Sequence, residues 1–248
     1  MKRYIAYFDF LGYKEFILNN DEELIQRRVG HILRDIETAL SDEYKVSVKT
    51  MNAIADLEHA QVHCLNISDT VIFYSKDETL ESFDAIIDVA YRFNWRNNLH
   101  NFPVRGILTY DDFRIVTQTY ENASGIRYSP NIMYGKGLVT THLKCDKQEW
   151  AGCCIDNSVI EIVNGTNRQA LLNERTVQYD IPIKDNEFGV FSKYAFRLYA
   201  GNANKENLKN LKGMINEVFN SDNKDTTDKR VQQKINNTIN FVDFLKDK

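Results

Sequence analysis

Two aspartates, Asp9 and Asp69, are the residues of this 248-residue chain most able to do chemistry. Asp9 comes near the end of a strand-like run over residues 3–10, and Gly12 follows three positions later. Asp69 lies in the predicted turn of a hairpin over residues 59–75. Two carboxylates brought together in this way can hold two hard divalent cations, Mg²⁺ or Mn²⁺, against a phosphate-bearing ligand.

The neighbours of Asp9 and one later arginine complete the predicted site. The backbone carbonyl of Phe10 adds an oxygen ligand for a metal. The backbone amides of Leu11, Gly12 and Tyr13, near the start of a helix, face phosphate oxygens in this prediction. Arg105, on a predicted strand over 104–110, supplies a forked cation for the far end of a polyphosphate.

Each of these acidic and basic residues has a simpler interpretation, and the sequence leaves it open. Asp9 is then a helix cap or turn residue, and Asp69 is an ordinary turn residue. Arg105 is then the ion-pair partner of one of the two aspartates. A buried carboxylate without a partner is costly, which favours a metal at Asp9.

The elements that position these residues follow from apolar periodicity and from capping residues. We expect one helix after Asp21, a second that Asp77 opens and a third over 134–148. Asp111 and Asp112 are predicted to form a turn that pairs strand 104–110 with 113–117. The remaining predicted elements are a strand over 151–155, a short helix capped by Asp156, and strand-like runs near 175–183 and 193–199. The order β-α-β-β-α-β predicts an α+β fold with a ferredoxin-like antiparallel sheet and helices on one face.

The C-terminal part differs in character from what precedes it. Helical spacing over 205–219 and 231–245 flanks a polar linker at 221–228. We therefore predict a main domain over 1–200 and a helical appendage over 201–248. The sequence assigns no role to residues 165–248.

Composition excludes some classes of protein. The 31 Lys and Arg against 35 Asp and Glu give a net charge of −4, which argues against a general nucleic-acid binder. No apolar run approaches the ~20 residues that span a bilayer, and the N-terminus does not resemble a signal peptide. The four cysteines form no C-x-x-C pair and are expected to be reduced thiols, which predicts a cytoplasmic protein with no membrane partner.

Three stretches, in this order, resemble the class III nucleotidyl cyclase family. They are Phe8-Asp9-Phe10-Leu11-Gly12-Tyr13, the hairpin Ser68-Asp69, and Arg105-Gly106-Ile107; a fourth, around Tyr134-Gly135, is similar to the start of the family's late helix. The resemblance covers roughly residues 3–160. It implies a palm-like core, a nucleoside triphosphate substrate, two divalent metal ions, and a homodimer with active sites at the subunit interface.

Three positions depart from the family pattern. Ile132 stands where purine cyclases often carry a base-reading aspartate, and Val139 and Leu143 stand where the family has its transition-state asparagine and arginine. The compact chain resembles the bacterial Pycsar pyrimidine cyclases, which implies CTP or UTP as substrate, an anti-phage signal and a separate cyclic-nucleotide effector. The alternatives are a catalytically inactive nucleotide-binding scaffold on the same fold and, with less support, a palm-type polymerase or dinucleotide cyclase.

Overall fold

The computed structural model describes residues 1–41, 43–47, 53–184, 191–199 and 205–246. Its strands are β1 Lys2–Phe10, β2 Tyr44–Val46, β3 Ala53–Ala55, β4 Val62–Ile67, β5 Thr70–Ser75, β6 Val104–Asp112, β7 Arg114–Thr117, β8 Tyr120–Glu121, β9 Arg127–Tyr128, β10 Asn131–Tyr134, β11 Gly152–Ile155, β12 Thr176–Gln178 and β13 Tyr194–Phe196. Its helices are α1 Tyr13–Asn19, α2 Glu22–Leu40, α3 Leu80–His100, α4 Lys136–Asp146, α5 Asn157–Val163, α6 Gln169–Arg175, α7 Lys205–Asn220 and α8 Lys229–Lys246.

One seven-stranded sheet organises the fold, in the order β12-β13-β11-β6-β1-β5-β4. Strand β1 is central and pairs antiparallel with both β5 and β6. The four strands β6-β1-β5-β4 reproduce the order of a ferredoxin-like sheet, so the predicted α+β class and core are confirmed. The late strands extend this core at one edge, with β11 parallel to β6.

The two faces of the sheet are covered differently. Tyr4 and Phe8 of β1 point to one face and pack with α2 and α3 in the largest apolar cluster. Ile5 and Tyr7 point to the opposite face, where α4 crosses the sheet. Because side chains alternate along a strand, Asp9 belongs to this second face.

The end of β6 differs from the sequence prediction. Asp111 and Asp112 do not form a turn but continue β6, opposite Arg3 and Lys2 of β1. Strand β7 consequently pairs with β10 in a separate two-stranded sheet and not with β6. Backbone pairing with β1 and the contact of the N-terminal ammonium with Asp112 at 3.4 Å hold the extension, whereas the sequence pattern alone favours a turn.

The C-terminal helices α7 and α8 pack against the same chain. Leu211 and Ile215 of α7 and Phe241 of α8 share a second apolar cluster with Trp150. The hydroxyl of Thr238 accepts a hydrogen bond from the amide of Ala151 at 2.8 Å. The predicted domain division falls at residues 200–204, which lie outside the described residues, so it stays a prediction.

Several local predictions can be compared with the structure. Asp21 caps α2, accepting the amide of Leu24 at 2.8 Å, as predicted. Asp77 does not cap α3: Thr79 does, and Asp77 accepts bonds from its amide and hydroxyl. The helix predicted to start near Tyr13 is α1, whereas α6 was not predicted. All four cysteines are free, and no helix in the described parts of the chain is long and apolar enough to cross a membrane.

Candidate functional site

The structure brings the two predicted aspartates next to each other. Asp9 is directly opposite Thr70 on β5, one residue beyond Asp69. The amide of Phe10 donates to the carbonyl of Asp69 at 2.9 Å, which fixes the hairpin tip against the end of β1. Ser68 makes the turn with a φ of 55°, a left-handed conformation uncommon outside glycine. Register and turn together place Asp69 beside Asp9.

Arg105 is the immediate partner of Asp9, which is the alternative that the sequence left open. It lies opposite Asp9 on β6 and donates from Nε to Oδ2 of Asp9 at 2.9 Å, and its Nη2 lies 2.8 Å from the same oxygen in an ion pair. It also donates from Nη1 to the carbonyl of Asp146 at 2.8 Å and from Nη2 to its carboxylate at 2.7 Å. These three hydrogen bonds engage all three guanidinium nitrogens, so the structure does not present Arg105 as an unengaged fork for phosphate.

Burial and charge act in opposite directions on this cluster. Burial raises the pKa of Asp9 above its ordinary 3.8; Arg105 opposes that shift through its charge and hydrogen bonds, while the charge of Asp69 adds to it. The pKa of Asp146 is lowered: its partial burial acts upward, but Arg105 and Lys184 outweigh it. Asp9 therefore carries a carboxylate whose charge is only partly compensated by the chain.

The segment after Asp9 confirms part of the predicted loop geometry and corrects another part. Gly12 has a φ of 79° and precedes α1, which suits a glycine. The amide of Leu11 donates to the carbonyl of Pro103 at 2.8 Å, so it is already used and is not available to a phosphate. The ring of Tyr13 stacks against Phe10 in the core. The predicted contacts of the amides of Gly12 and Tyr13 with phosphate stay predictions.

A cavity of about 300 Å³ opens beside this loop. Five residues of the predicted site line one wall: Asp9, Phe10, Leu11, Gly12 and Arg105. The opposite wall comes largely from the C-terminal segment: Phe219, Lys224, Asp225, Thr226, Val231 and Lys234, with Lys184 and Glu15 completing the lining. Asp69 and Tyr13 are not among the lining residues; Asp69 lies on the hairpin side of Asp9.

The donor set can be tested against a divalent metal. No group of three or more His, Cys, Asp and Glu side chains suited to a metal occurs among the described residues, so a site closed by protein ligands alone is not formed there. Two adjacent carboxylates and a carbonyl fit Mg²⁺ or Mn²⁺, because such ions often take one or two carboxylates and complete their shell with water and substrate phosphates. The raised pKa of Asp9 fits a nearby cation, since positive charge would offset the cost of burying its anion.

The three positions that depart from the family pattern carry exposed apolar side chains. Ile132 on β10 is 58% exposed, and Val139 and Leu143 on α4 are 59% and 46% exposed. Val116 on β7 and Tyr134 on β10 are exposed nearby. Ile132, Val139 and Leu143 cannot supply the charge or hydrogen bonds of an aspartate, asparagine or arginine.

Comparison with known proteins identifies the fold. No protein-family model matches the sequence, and no curated protein matches it significantly. Among solved structures, the guanylate cyclase domain of RhGC from Catenaria anguillulae in complex with GTP aligns with a TM-score of 0.50 at 7% identity, covering 79% of this chain and 94% of that domain. The catalytic core of a rhodopsin-guanylyl cyclase with converted specificity, in complex with ATPalphaS, aligns equally well at 8% identity, covering 79% and 93%. The chain therefore has the fold of class III cyclase catalytic domains.

Sequence reasoning missed the residues that complete the cavity from elsewhere in the chain. Lys184, Lys224 and Lys234 lie in the region to which no role was assigned. Asp146, at the end of α4, was also missed as the second partner of Arg105. The one available signal was the turn-forming sequence Ser221-Asp222-Asn223, in which Asp222 and Asn223 adopt φ values of 62° and 52°.

Proposed function

We propose that this chain is a metal-dependent nucleotide cyclase, which converts a nucleoside triphosphate to a 3′,5′-cyclic nucleotide and pyrophosphate. The observation that carries the proposal is the placement of Asp9 and Asp69 side by side at the end of β1, with Asp9 facing a cavity of about 300 Å³. The chain that carries this arrangement has the fold of guanylate cyclase domains, one of which was solved in complex with GTP.

The residues present account for positioning in such a reaction. Asp9, Asp69 and the carbonyl of Phe10 would hold two divalent ions. Bound metal ions lower the pKa of an attacking hydroxyl and neutralise a leaving pyrophosphate. Arg105 holds the carboxylate of Asp9 from the side, leaving Oδ1 for another ligand. Positioning and charge stabilisation dominate phosphoryl transfer, so these roles are the ones that the reaction needs.

The finer assignment concerns the base. The resemblance to Pycsar cyclases supports CTP or UTP, and with it an anti-phage signal read by a separate effector. Ile132 favours a pyrimidine over a purine only because it stands where purine cyclases often carry a base-reading aspartate. The GTP and ATPalphaS of the structural neighbours are ligands of those proteins, so all four nucleotides belong in the test.

The experiment is an incubation of the purified full chain with each of ATP, GTP, CTP and UTP, with Mn²⁺ or Mg²⁺, and product identification by mass spectrometry. We expect one cyclic nucleotide with pyrophosphate, and its loss in Asp9→Asn and Asp69→Asn. Asp112→Asn is the matched control, because Asp112 lies at the far end of the same strand pair. Absence of a cyclic product from every nucleotide, with phage-derived triggers added, contradicts the proposal.

A catalytically inactive nucleotide-binding scaffold is the second candidate. The observation that favours it is the exposed apolar set Ile132, Val139 and Leu143, which replaces groups that the family uses. This candidate predicts that a triphosphate binds and is recovered intact. A biological effect that survives Asp69→Asn would support it, whereas an effect lost with the cyclic product would not.

The same apolar set supports the homodimer that the resemblance implies. Exposed Val139 and Leu143 on α4 and Ile132 on β10 form a surface that a second copy would cover. We expect a dimer by sedimentation or light scattering. Val139→Glu combined with Leu143→Glu should shift it to monomer and lower activity, while Ile162→Glu, at an exposed position of α5, should do neither.

A further inference from the structure

The C-terminal segment forms a fixed wall of the cavity. Asp222, in the turn between α7 and α8, pairs with Arg28 of α2 at 2.9 Å, and both side chains are almost fully buried. Its carbonyl accepts from Asn20 at 2.7 Å, and the amide of Asp225 donates to the carboxylate of Glu15 at 2.9 Å. Contacts with α2, with α1 and with Asn20, the residue after α1, therefore hold this turn over the loop that follows β1.

Lys224 attaches the turn to the glycine of that loop. A Cβ at Gly12 would lie 3.0 Å from Cδ of Lys224, so the lysine side chain lies directly over the glycine. Its ammonium donates to the carbonyl of Val218 at 3.0 Å and lies 4.1 Å from the ring centre of Phe102. Burial lowers the pKa of Lys224 to about 8. With its ammonium enclosed in this way, Lys224 serves as an anchor for the segment.

Lys184 and Lys234 are placed differently. Both approach a single carboxylate, that of Glu149, at 3.9 Å and 3.6 Å, and Lys184 also reaches Asp146 at 3.3 Å. Asp146 is already shared with Arg105. Three cations, Arg105, Lys184 and Lys234, thus share three carboxylates, and the two lysines make the longer contacts, so their ammonium groups are the ones that a phosphate would engage most readily.

The cavity as a whole suits an anion. Four described lining residues are cationic, namely Arg105, Lys184, Lys224 and Lys234, against three acidic ones, namely Asp9, Glu15 and Asp225. Of the acids, Glu15 is occupied by the Asp225 amide and Asp9 by Arg105. Metal ions at Asp9 would raise the positive charge further and leave the lysine side as the remaining place for phosphate oxygens.

We propose that Lys184 and Lys234 bind the terminal phosphates of the nucleoside triphosphate, so that the C-terminal hairpin supplies, within the same chain, part of the polyphosphate site. This inference rests on the proposed function for its choice of ligand. Lys234 belongs to α8, and Lys184 lies between β12 and β13; both are outside the ferredoxin-like core. Through Lys234 the appendage becomes a component of the binding site.

The test uses inorganic tripolyphosphate as the probe and the full chain as the protein, with calorimetric titration both in Mn²⁺ and in EDTA. We expect Lys184→Ala and Lys234→Ala each to weaken binding about ten-fold, and Lys234→Arg to stay within about three-fold of the original. Lys246→Ala is the matched control, because Lys246 is on the same helix and is also paired with a carboxylate, Asp243 at 3.0 Å. Melting curves establish that each variant is folded.

The outcomes separate this inference from the proposed function. Unchanged tripolyphosphate affinity in both folded alanine variants, or no binding by the unmodified chain, overturns the inference. A chain that makes a cyclic nucleotide with the same KM in Lys184→Ala and Lys234→Ala overturns it as well, while the cyclase proposal stands. If tripolyphosphate binds and its binding depends on the two lysines, but no cyclic product forms, the proposed anion site is supported and the proposed cyclase activity is contradicted.

Discussion

Arg105→Ala tests whether this residue acts on Asp9 or on the substrate. The guanidinium makes one hydrogen bond and a second close contact to Oδ2 of Asp9 and two hydrogen bonds to Asp146, and its side chain is 13% exposed against 19% for Asp9 and 49% for Asp146. Removing one partner of a buried ion pair costs about 3–5 kcal/mol. Because the Asp146 end is half exposed and contributes less, we expect the lower limit, about 3 kcal/mol.

Thermal unfolding is the direct assay. For a chain of this size, about 3 kcal/mol corresponds to a fall in Tm of roughly 6–12 °C. A double-mutant cycle with Asp9→Asn should give a coupling free energy of about 2 kcal/mol, because the two groups touch and share hydrogen bonds. Arg168→Ala is the control: Arg168 also contacts two carboxylates, Glu81 and Asp84, but on an exposed surface, and little change in Tm is expected.

The pH dependence of Mn²⁺ binding distinguishes a positioning residue from a structural one. Arg105 opposes the upward shift in the pKa of Asp9, so its removal lets that pKa rise further. More of the carboxylate is then protonated at a given mildly acidic pH, and a metal ion must displace that proton. The Mn²⁺ affinity of Arg105→Ala should therefore fall more steeply with decreasing pH than that of the unmodified chain. A variant that keeps its Tm and its Mn²⁺ profile but loses triphosphate affinity would refute the assignment and make Arg105 a phosphate ligand.

Two further predictions concern the contact between Gly12 and Lys224. Gly12→Ala forces a left-handed residue to carry a Cβ 3.0 Å from Cδ of Lys224 and should lower stability by about 1–2 kcal/mol in denaturant titration, whereas Gly30→Ala, in open space on α2, should raise it by up to about 1 kcal/mol. For Lys224, the folded pKa of about 8 lies below its ordinary 10.5, so the unfolded chain binds more protons in that window and stability rises with pH from about 8 to 10.5. Lys224→Met should remove that rise. The shift in the pKa of Lys224 corresponds to a rise in the free energy of unfolding of at most about 3 kcal/mol. The contact with the Phe102 ring stabilises the charged form by up to about 2 kcal/mol and reduces the rise by that amount. A pH slope unchanged by the methionine would show that another group is responsible.

The placement of Asp9 beside Asp69 could be predicted from the sequence because its signals are local. A strand that ends in Asp9 and a hairpin with Asp69 at its turn are each readable within about ten residues, and the β-α-β-β-α-β order brings them together. The partner of Arg105 could not be assigned in the same way. Its choice between Asp9 and a phosphate depends on the register of β1 against β6, which places the two residues directly opposite each other.

The error at Asp111 and Asp112 has a similar cause. Consecutive aspartates favour turns locally, and nothing near them in the sequence contradicts that interpretation. The deciding interaction is the strand pairing with Lys2 and Arg3, more than a hundred residues earlier on the neighbouring strand. The lysines of the cavity are harder still, since an isolated lysine carries no pattern, and Lys224 and Lys234 reach the site only when α7 and α8 fold back over α1 and α2.

The burial of Lys224 explains how the two parts of the site stay joined. An enclosed ammonium is costly, yet here it lies at the C-terminal end of α7, where the carbonyl of Val218 accepts from it and from the hydroxyl of Ser221, and the last turn has no basic residue of its own. The same side chain covers Gly12, three residues after Asp9. The charge at the end of α7 thus also holds the C-terminal wall against the loop that follows β1, and it follows that a substitution at either Gly12 or Lys224 should disturb the proposed metal and phosphate binding together.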